Sequence, residues 1–391
     1  MKICMIVNRA DPRHTAHCGV GDYTFQLSQM LVSSGHILRT VTDSATAQAI
    51  NVPPASALST VKGWGLNSIL QIRRIVAQWQ PDVVHLQYQP GLYDKSPWLM
   101  LYPLSVRTRE THVSFVTTFH TFYNPSRLSP TRLYARALLR FSDGIIVTNA
   151  SHHHQAIQIA RMAERKILLL PVGTNIAVTA INVKQRLELR RRLDIGEEGI
   201  ILINFGFPRA DKGLHYLLEA LANLRHQGLP VYFVHIGEVQ PTDQSYYNEL
   251  KQMANRFDIS RDIRWLGSLP ENDVSAYLQT ADVYAAPYTD GFNSRRTSAI
   301  AALTHGLPMI TTHSNSLQDD RSASQAMIVV PPGDVPALSE AISRLARDVE
   351  ERQRLSQASR TLALEYGWAH IAEQHATFYH RVISEIKAAS R

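Results

Sequence analysis

Short apolar runs recur along this chain, separated by longer stretches whose apolar residues fall at helical spacing. The runs predict strands at 2–7, 37–41, 83–86, 114–119, 144–148 and 167–169. After a polar, helix-like link at 183–193 they resume at 200–205, 231–236, 263–266, 283–286, 309–311 and 326–330. Strands that are apolar throughout and alternate with helices belong to parallel βαβ units, because the crossover helices cover both faces of the sheet. Two such series, of about six strands each, predict an α/β fold with two Rossmann-like, doubly wound domains facing across a cleft. The expected division is 1–172, 173–367 and a helical tail at 368–391 that packs back on the first domain. Ligands of open α/β sheets bind at the carboxyl edge of the strands, so chemistry is expected on the loops that leave them.

Composition narrows the class. A length of 391 residues with 45% hydrophobic content supplies cores for two or three domains, and 19% charged residues without low-complexity tracts argue against disorder. Two cysteines, Cys4 and Cys18, give no disulfide framework and fit a reducing compartment. The opening MKICMIV runs into polar NRADPRH, unlike a cleavable leader, and no apolar run reaches the roughly 18–20 residues a membrane span needs. The expectation is a cytoplasmic protein. Residues 1–172 carry 17 Lys and Arg against 8 Asp and Glu, although the whole chain is only +7. Within that half, Arg127, Arg132, Arg136 and Arg140 fall at near-helical spacing. That face suits anionic headgroups at the inner face of a membrane or an anionic acceptor; a solvated basic surface is the alternative. No nucleic-acid module accompanies it.

The most telling loop is 203–213, INFGFPRADKG. An apolar strand ends at Gly206, and Arg209 and Lys212 follow just ahead of Gly213 and an amphipathic helix. Cations at a helix mouth suit a pyrophosphate or a departing phosphate. A second loop, HCGVGDYT at 17–24, places Gly19 and Gly21 ahead of a helix expected at 25–33, where backbone can approach an anion. It lacks the third glycine of a dinucleotide fingerprint, and a simple turn remains the alternative. His120 stands just beyond the strand 114–119, placed either to hydrogen-bond a substrate hydroxyl or to be satisfied by local backbone. A third loop, 287–296, precedes an alanine-rich helix. Its amides near Gly291, Phe292, Asn293 and Ser294, with the hydroxyls of Thr297 and Ser298, suit sugar hydroxyls or phosphate. Arg295 and Arg296 add charge there, but adjacent residues diverge on a helix, so at most one faces a ligand. His152, His153 and His154 are successive on a helix and cannot converge on one metal ion.

Taken together, the paired-glycine loop, PDVVHLQY at 81–88, FHT at 119–121, LPVGTNI at 170–176, FGFPRADKG at 205–213, LGSLP at 266–270, YTDGF at 288–292 and HGLPMITT at 305–312 resemble the retaining glycosyltransferases of family 4, of the GT-B architecture and the type used in bacterial polysaccharide assembly. The likeness covers nearly the whole chain. It implies an N-terminal acceptor-binding domain and a C-terminal nucleotide-sugar-binding domain. It further implies that Arg209 and Lys212 hold the donor's diphosphate beside Gly206, that Gly19 and Gly21 meet the phosphates from the other domain, and that His120 contacts the transferred sugar. Asp290 and the loop Gly291, Phe292, Asn293 and Ser294 would grip that sugar, and Gly267, Ser268 and Leu269 would cradle the base.

The implied reaction is metal-independent transfer of a hexosyl group from a UDP-sugar to a saccharide or lipid-linked acceptor, in envelope or exopolysaccharide synthesis, with no cofactor and no nucleic acid. The chain contains no Asp-X-Asp triplet of the kind that holds a divalent ion on a sugar nucleotide in the other major glycosyltransferase fold. Three positions depart from the family pattern. Phe207 stands where an arginine is familiar, Asp290 replaces the first glutamate of the donor loop, and Ala301 falls at the second, ribose-binding glutamate, leaving Thr297 or Ser298 to contact the ribose. A sugar-nucleotide 2-epimerase and a non-catalytic nucleotide-sugar-binding homologue are the alternatives.

Overall fold

The computed structural model describes residues 1–8, 18–106, 113–122, 130–160, 166–314 and 326–389. The chain divides into two compact units, Met1–Gly173 together with Gly367–Arg391, and Thr174–Tyr366.

The first unit holds a seven-stranded parallel sheet in the order β3-β2-β1-β4-β5-β6-β7. Its strands are β1 (Lys2–Ile6), β2 (Ile37–Asp43), β3 (Ala57–Val61), β4 (Val83–Tyr88), β5 (Ser114–Phe119), β6 (Gly144–Val147) and β7 (Ile167–Leu169). Helices α1 (Gly19–Ser33), α2 (Leu66–Trp79), α3 (Tyr102–Ser105), α4 (Pro130–Phe141) and α5 (Ala150–Ala160) accompany them. Every residue of β4 and β5 is buried, as expected of strands covered on both faces. One strand, β3, was not expected from the sequence. It is an edge strand in which Ala57, Leu58 and Thr60 are exposed, so it lacks the apolar run that marks a central strand.

The second unit holds a six-stranded parallel sheet in the order β10-β9-β8-β11-β12-β13. These strands are β8 (Ile200–Phe205), β9 (Val231–Ile236), β10 (Ile263–Trp265), β11 (Val283–Ala286), β12 (Met309–Thr312) and β13 (Met327–Val330). The helices are α6 (Val183–Arg192), α7 (Leu214–His226), α8 (Gln244–Arg256), α9 (Glu271–Thr280), α10 (Thr297–Thr304), α11 (Val335–Arg347) and α12 (Val349–Ala363). Ile201, Ile203 and Tyr284 pack into a core on one face of the sheet. Leu202, Phe233 and Val283 pack on the other against Leu214, Leu217, Leu218 and Leu221 of α7. Both units are Rossmann-like.

A last helix, α13 (Trp368–Ala389), belongs to the first unit. Its Phe378, Tyr379 and Val382 share a core with Ile3, Met5, Val83 and Val116. Polar groups are buried with it. Tyr379 Oη lies 2.7 Å from His85 Nδ1, and Tyr23 Oη lies 3.2 Å from His375 Nε2. Burial holds His375 down to about 4 and His85 well below the ordinary histidine value. In the second unit burial, with Lys212 nearby, holds His235 to about 3. Each of these folded-state values lies below the unfolded value of 6.5. The native protein therefore binds fewer protons than the unfolded chain, and this part of its stability, intact above 6.5, is lost as pH falls below it. His375 and His235 each cost about 2 kcal/mol by pH 5, and His85 adds to the loss in the same direction. Thermal melts should show Tm dropping steadily between pH 7 and pH 5; a flat profile would mean these rings find protons or water when folded.

Candidate active site

The strand order of the second unit reverses between β8 and β11, and such a reversal opens the crevice where doubly wound sheets take ligands. Strand β8 ends at Phe205, and Gly206 follows with φ of +121°, a conformation that suits glycine. The neighbouring strand ends are stitched by backbone: Gly206 N–H donates to Ile236 O at 2.9 Å, and Gly237 N–H to Gly267 O at 2.8 Å. A Cβ on Gly206 would lie 3.7 Å from both Lys212 Nζ and Ser298 Oγ. An ammonium and a hydroxyl thus converge on the bare backbone at the end of β8.

Three cations and two carboxylates surround that point. Arg209 caps a 3-10 turn, Ala210–Lys212, and its Nε donates to Asp211 Oδ1 at 2.9 Å. Arg296 Nη1 donates to Asp211 Oδ2 at 2.7 Å, while its Nη2 donates to Asp290 Oδ1. The guanidinium lies 4.2 Å from the ring of Tyr288, and Lys212 Nζ lies 5.3 Å from the same ring. Burial pushes Asp211 up, but Arg209 and Arg296 outweigh it and hold the carboxyl to about 2. Burial, and then the like charge of Arg296, draw Lys212 down to about 8. The cluster keeps a surplus positive charge, with Arg296 sheltered and Arg209 open to solvent, an arrangement that suits a phosphate or diphosphate arriving from outside.

Several expectations change in detail. Lys212 does not stand at a free helix mouth, because a 3-10 turn intervenes and His215 N–H at the start of α7 donates to Tyr246 Oη at 3.2 Å. Gly19 and Gly21 lie in the first turn of α1, not in a loop before it; Asp22 N–H already donates to Cys18 O at 2.9 Å. His17, at the head of that motif, lies outside the described residues. The side chain of Phe292 is fully buried and its N–H donates to Thr312 O at 3.1 Å, so neither can serve a ligand. Gly291 is pressed against the backbone of His313. Ala301 is wholly buried inside α10 and reaches no ligand, whereas Ser298 sits beside Gly206 and Thr297 is exposed at the start of that helix. Asp290 is 57% exposed, Asn293 is half-buried and Ser294 is buried. Past β10, Ser268 is exposed and Leu269 packs partly into the core. Arg295 is exposed, and of the two arginines Arg296 turns inward. Asp211 and Tyr288 were not singled out from the sequence, and Arg296 entered only as one of two adjacent arginines of which at most one faces a ligand. The signal was present for Asp211, since a carboxylate between two cations in RADK reads as their organiser.

In the first unit, His120 follows β5, is 8% exposed, and lies 2.8 Å through Nε2 from Gln87 Oε1. Tyr23, two residues after Gly21, meets its ring edge-on at 4.9 Å, so the start of α1 and His120 share one end of the sheet. Of the basic stripe, Arg136 and Arg140 are exposed on α4 beside exposed Leu133, while Arg127 lies outside the described residues. His152 is buried and His154 exposed, so the three histidines diverge. No helix among the described residues is long and apolar enough to cross a membrane.

Two parallel-sheet α/β units of this kind make a GT-B fold, and solved structures agree. A glycosyltransferase from Rickettsia africae matches with a TM-score of 0.76 at 16% identity, over 98% of each chain. Anabaena HepE in complex with UDP matches with a TM-score of 0.72 at 16% identity, over 96% of this chain and 99% of that one. Residues 18–178 match the family model Glycosyltransferase Family 4, and residues 185–362 match Glycosyl transferases group 1. The chain is therefore a family 4-like glycosyltransferase of the GT-B fold. Among curated relatives, the phosphatidyl-myo-inositol mannosyltransferase of Mycobacterium leprae is 23% identical over 95% of this chain and 96% of its own length. The D-inositol 3-phosphate glycosyltransferase of Corynebacterium urealyticum is 27% identical over 49% of this chain, and the match spans less than half, 45%, of that relative.

Proposed function

We propose that this chain transfers a hexosyl group from a UDP-sugar to a saccharide or lipid-linked acceptor, with retention of anomeric configuration and without a metal ion. The observation that carries the reading is the largely buried ammonium of Lys212 set against Gly206 at the switch point, with Arg209 and Arg296 beside it. Glycosyl transfer builds negative charge on the departing diphosphate, and preorganised cations act where that charge grows. Lys212 and Arg209 are assigned to the diphosphate, Asp290 with Asn293 and Ser294 to the sugar, Gly267 and its neighbours to the base, and Ser298 or Thr297 to the ribose. His120 and the first turn of α1 are the candidate ligand groups of the first unit. The Anabaena neighbour was solved with UDP and with UDP-glucose, which favours uridine. The names of the mannosyltransferase and of a streptococcal alpha-monoglucosyldiacylglycerol synthase favour a lipid-linked acceptor in envelope synthesis. The exposed Leu133, Arg136 and Arg140 of α4 suit such an acceptor at the inner face of an anionic membrane.

Incubation with a panel of nucleotide sugars, with and without saccharide and lipid acceptors, tests this. Release of UDP that depends on acceptor, a product of retained configuration and indifference to EDTA are expected. Epimerised donor without acceptor would support the epimerase reading, and tight UDP binding without turnover the non-catalytic one. Loss of transfer on adding EDTA would overturn metal independence.

A further inference from the structure

Arg296 lies at the centre of the ion-pair network, although the sequence pattern offered it only as one of two adjacent cations at the third loop. Its two terminal nitrogens engage carboxylates on loops that leave adjacent strands: Asp211 after β8 and Asp290 after β11. Asp211 in turn holds Arg209 through its other oxygen, and Thr289 N–H donates to Asp211 O at 3.1 Å. The result is one chain of contacts, Arg209–Asp211–Arg296–Asp290. The Arg296 side chain is only 11% exposed and its guanidinium rests on Tyr288, so the arginine is held in place from below, its bond to Asp211 is partly buried and its bond to Asp290 lies toward solvent. Asp290, at 57% exposed, has one oxygen engaged and the other open to sugar hydroxyls. A guanidinium is a rigid planar fork that fixes two carboxylates at a set angle; a lysine ammonium at this position cannot.

We propose that Arg296 is a positioning residue that locks the phosphate-binding turn and the Asp290 loop into one arrangement, so that diphosphate and sugar recognition are set together. The inference rests on the reading of this edge as the donor site. Without Arg296 the carboxylates of Asp211 and Asp290 lose their shared partner, Arg209 loses a fixed anchor, and Asp290 loses its rotamer.

Two variants test it, Arg296→Met, which keeps an unbranched stem over Tyr288, and Arg296→Lys, which keeps the charge. Backbone hydrogen exchange is followed in segments 207–216 and 287–296 of the full chain. Both segments should exchange at least about ten-fold faster in both variants, in line with the loss of hydrogen bonds between charged groups. In transfer assays the ratio of kcat/KM between epimeric UDP-hexoses should fall about ten-fold, a change that mere loss of stability does not produce. Loosening confined to 287–296, or a lysine variant indistinguishable from wild type, would overturn the coupling. A wild-type protein that used no nucleotide sugar would instead defeat the proposed activity, and the exchange data would still decide the coupling.

Discussion

Lys212→Met should give a more stable protein and a far poorer enzyme. The wild-type ammonium is held at about 8 against an ordinary 10.5, by burial first and then by Arg296. A depression of that size corresponds to about 3 kcal/mol of cost to the folded state while the group is charged. The sign follows from proton counts: between pH 8 and 10.5 the unfolded chain binds the proton more readily than the native one, so stability rises with pH through that window. Below pH 8 the full cost is present. Methionine keeps the flexible stem and removes the charge, so Tm near pH 7 should rise by several degrees, at about 2–4 °C per kcal/mol for a domain of this size. The gap between variant and wild type should close as pH passes 10.5.

Turnover should move the opposite way, falling about 10²–10³-fold, as when one preorganised charge-stabilising group is removed. UDP binding at pH 8.5 should draw a proton onto Lys212, which calorimetry in buffers of different ionisation enthalpy would register. A variant that kept wild-type turnover would take Lys212 out of the chemistry. One that lost both stability and activity would make it a structural residue. A buried cation that lowers stability yet persists at a switch point has the signature of a functional group.

What the sequence made legible follows from which interactions are local. Strands β5, β8, β9 and β11 could be bounded from their apolar runs alone, because parallel strands covered on both faces need such runs. β3 could not, because an edge strand with exposed Ala57, Leu58 and Thr60 carries no such mark. The start of α1 was hidden because Gly19 and Gly21 are poor helix formers, and tertiary packing of Tyr23, Leu27 and Leu31 overrides their propensity. The loop bearing Arg209 and Lys212 could be read from its motif. Its partners could not: Arg296 lies 85 residues beyond Asp211, and only the adjacency of β8 and β11 brings the two together. The bond from Tyr379 to His85 spans 294 residues and was equally out of reach.

Gly213→Ala should strongly destabilise the second unit as well as abolish its turnover. Gly213 joins the phosphate-binding turn to α7 with φ of +65°, and a Cβ there would lie 1.8 Å from Pro287 O. That oxygen belongs to the backbone just past β11, so no side-chain rotation can relieve the overlap. Either the loop after β11 or α7 must move, and α7 carries Leu214, Leu217, Leu218, Leu221 and Leu224 in the core. Left-handed strain alone costs about 1–2 kcal/mol, and displacing packed backbone brings the expected loss to about 4 kcal/mol or more. Tm should drop by roughly 10 °C, and turnover should vanish even where the protein stays folded, because Lys212 moves with its neighbour. Gly213→Asn separates the two causes. Asparagine tolerates a left-handed φ, so if conformation were the whole difficulty it would melt near wild type. With a Cβ just as close to Pro287 O, it should instead fail almost as badly as alanine. A well-folded asparagine variant would show that the loop after β11 yields, and that the phosphate-binding turn is not braced by this contact.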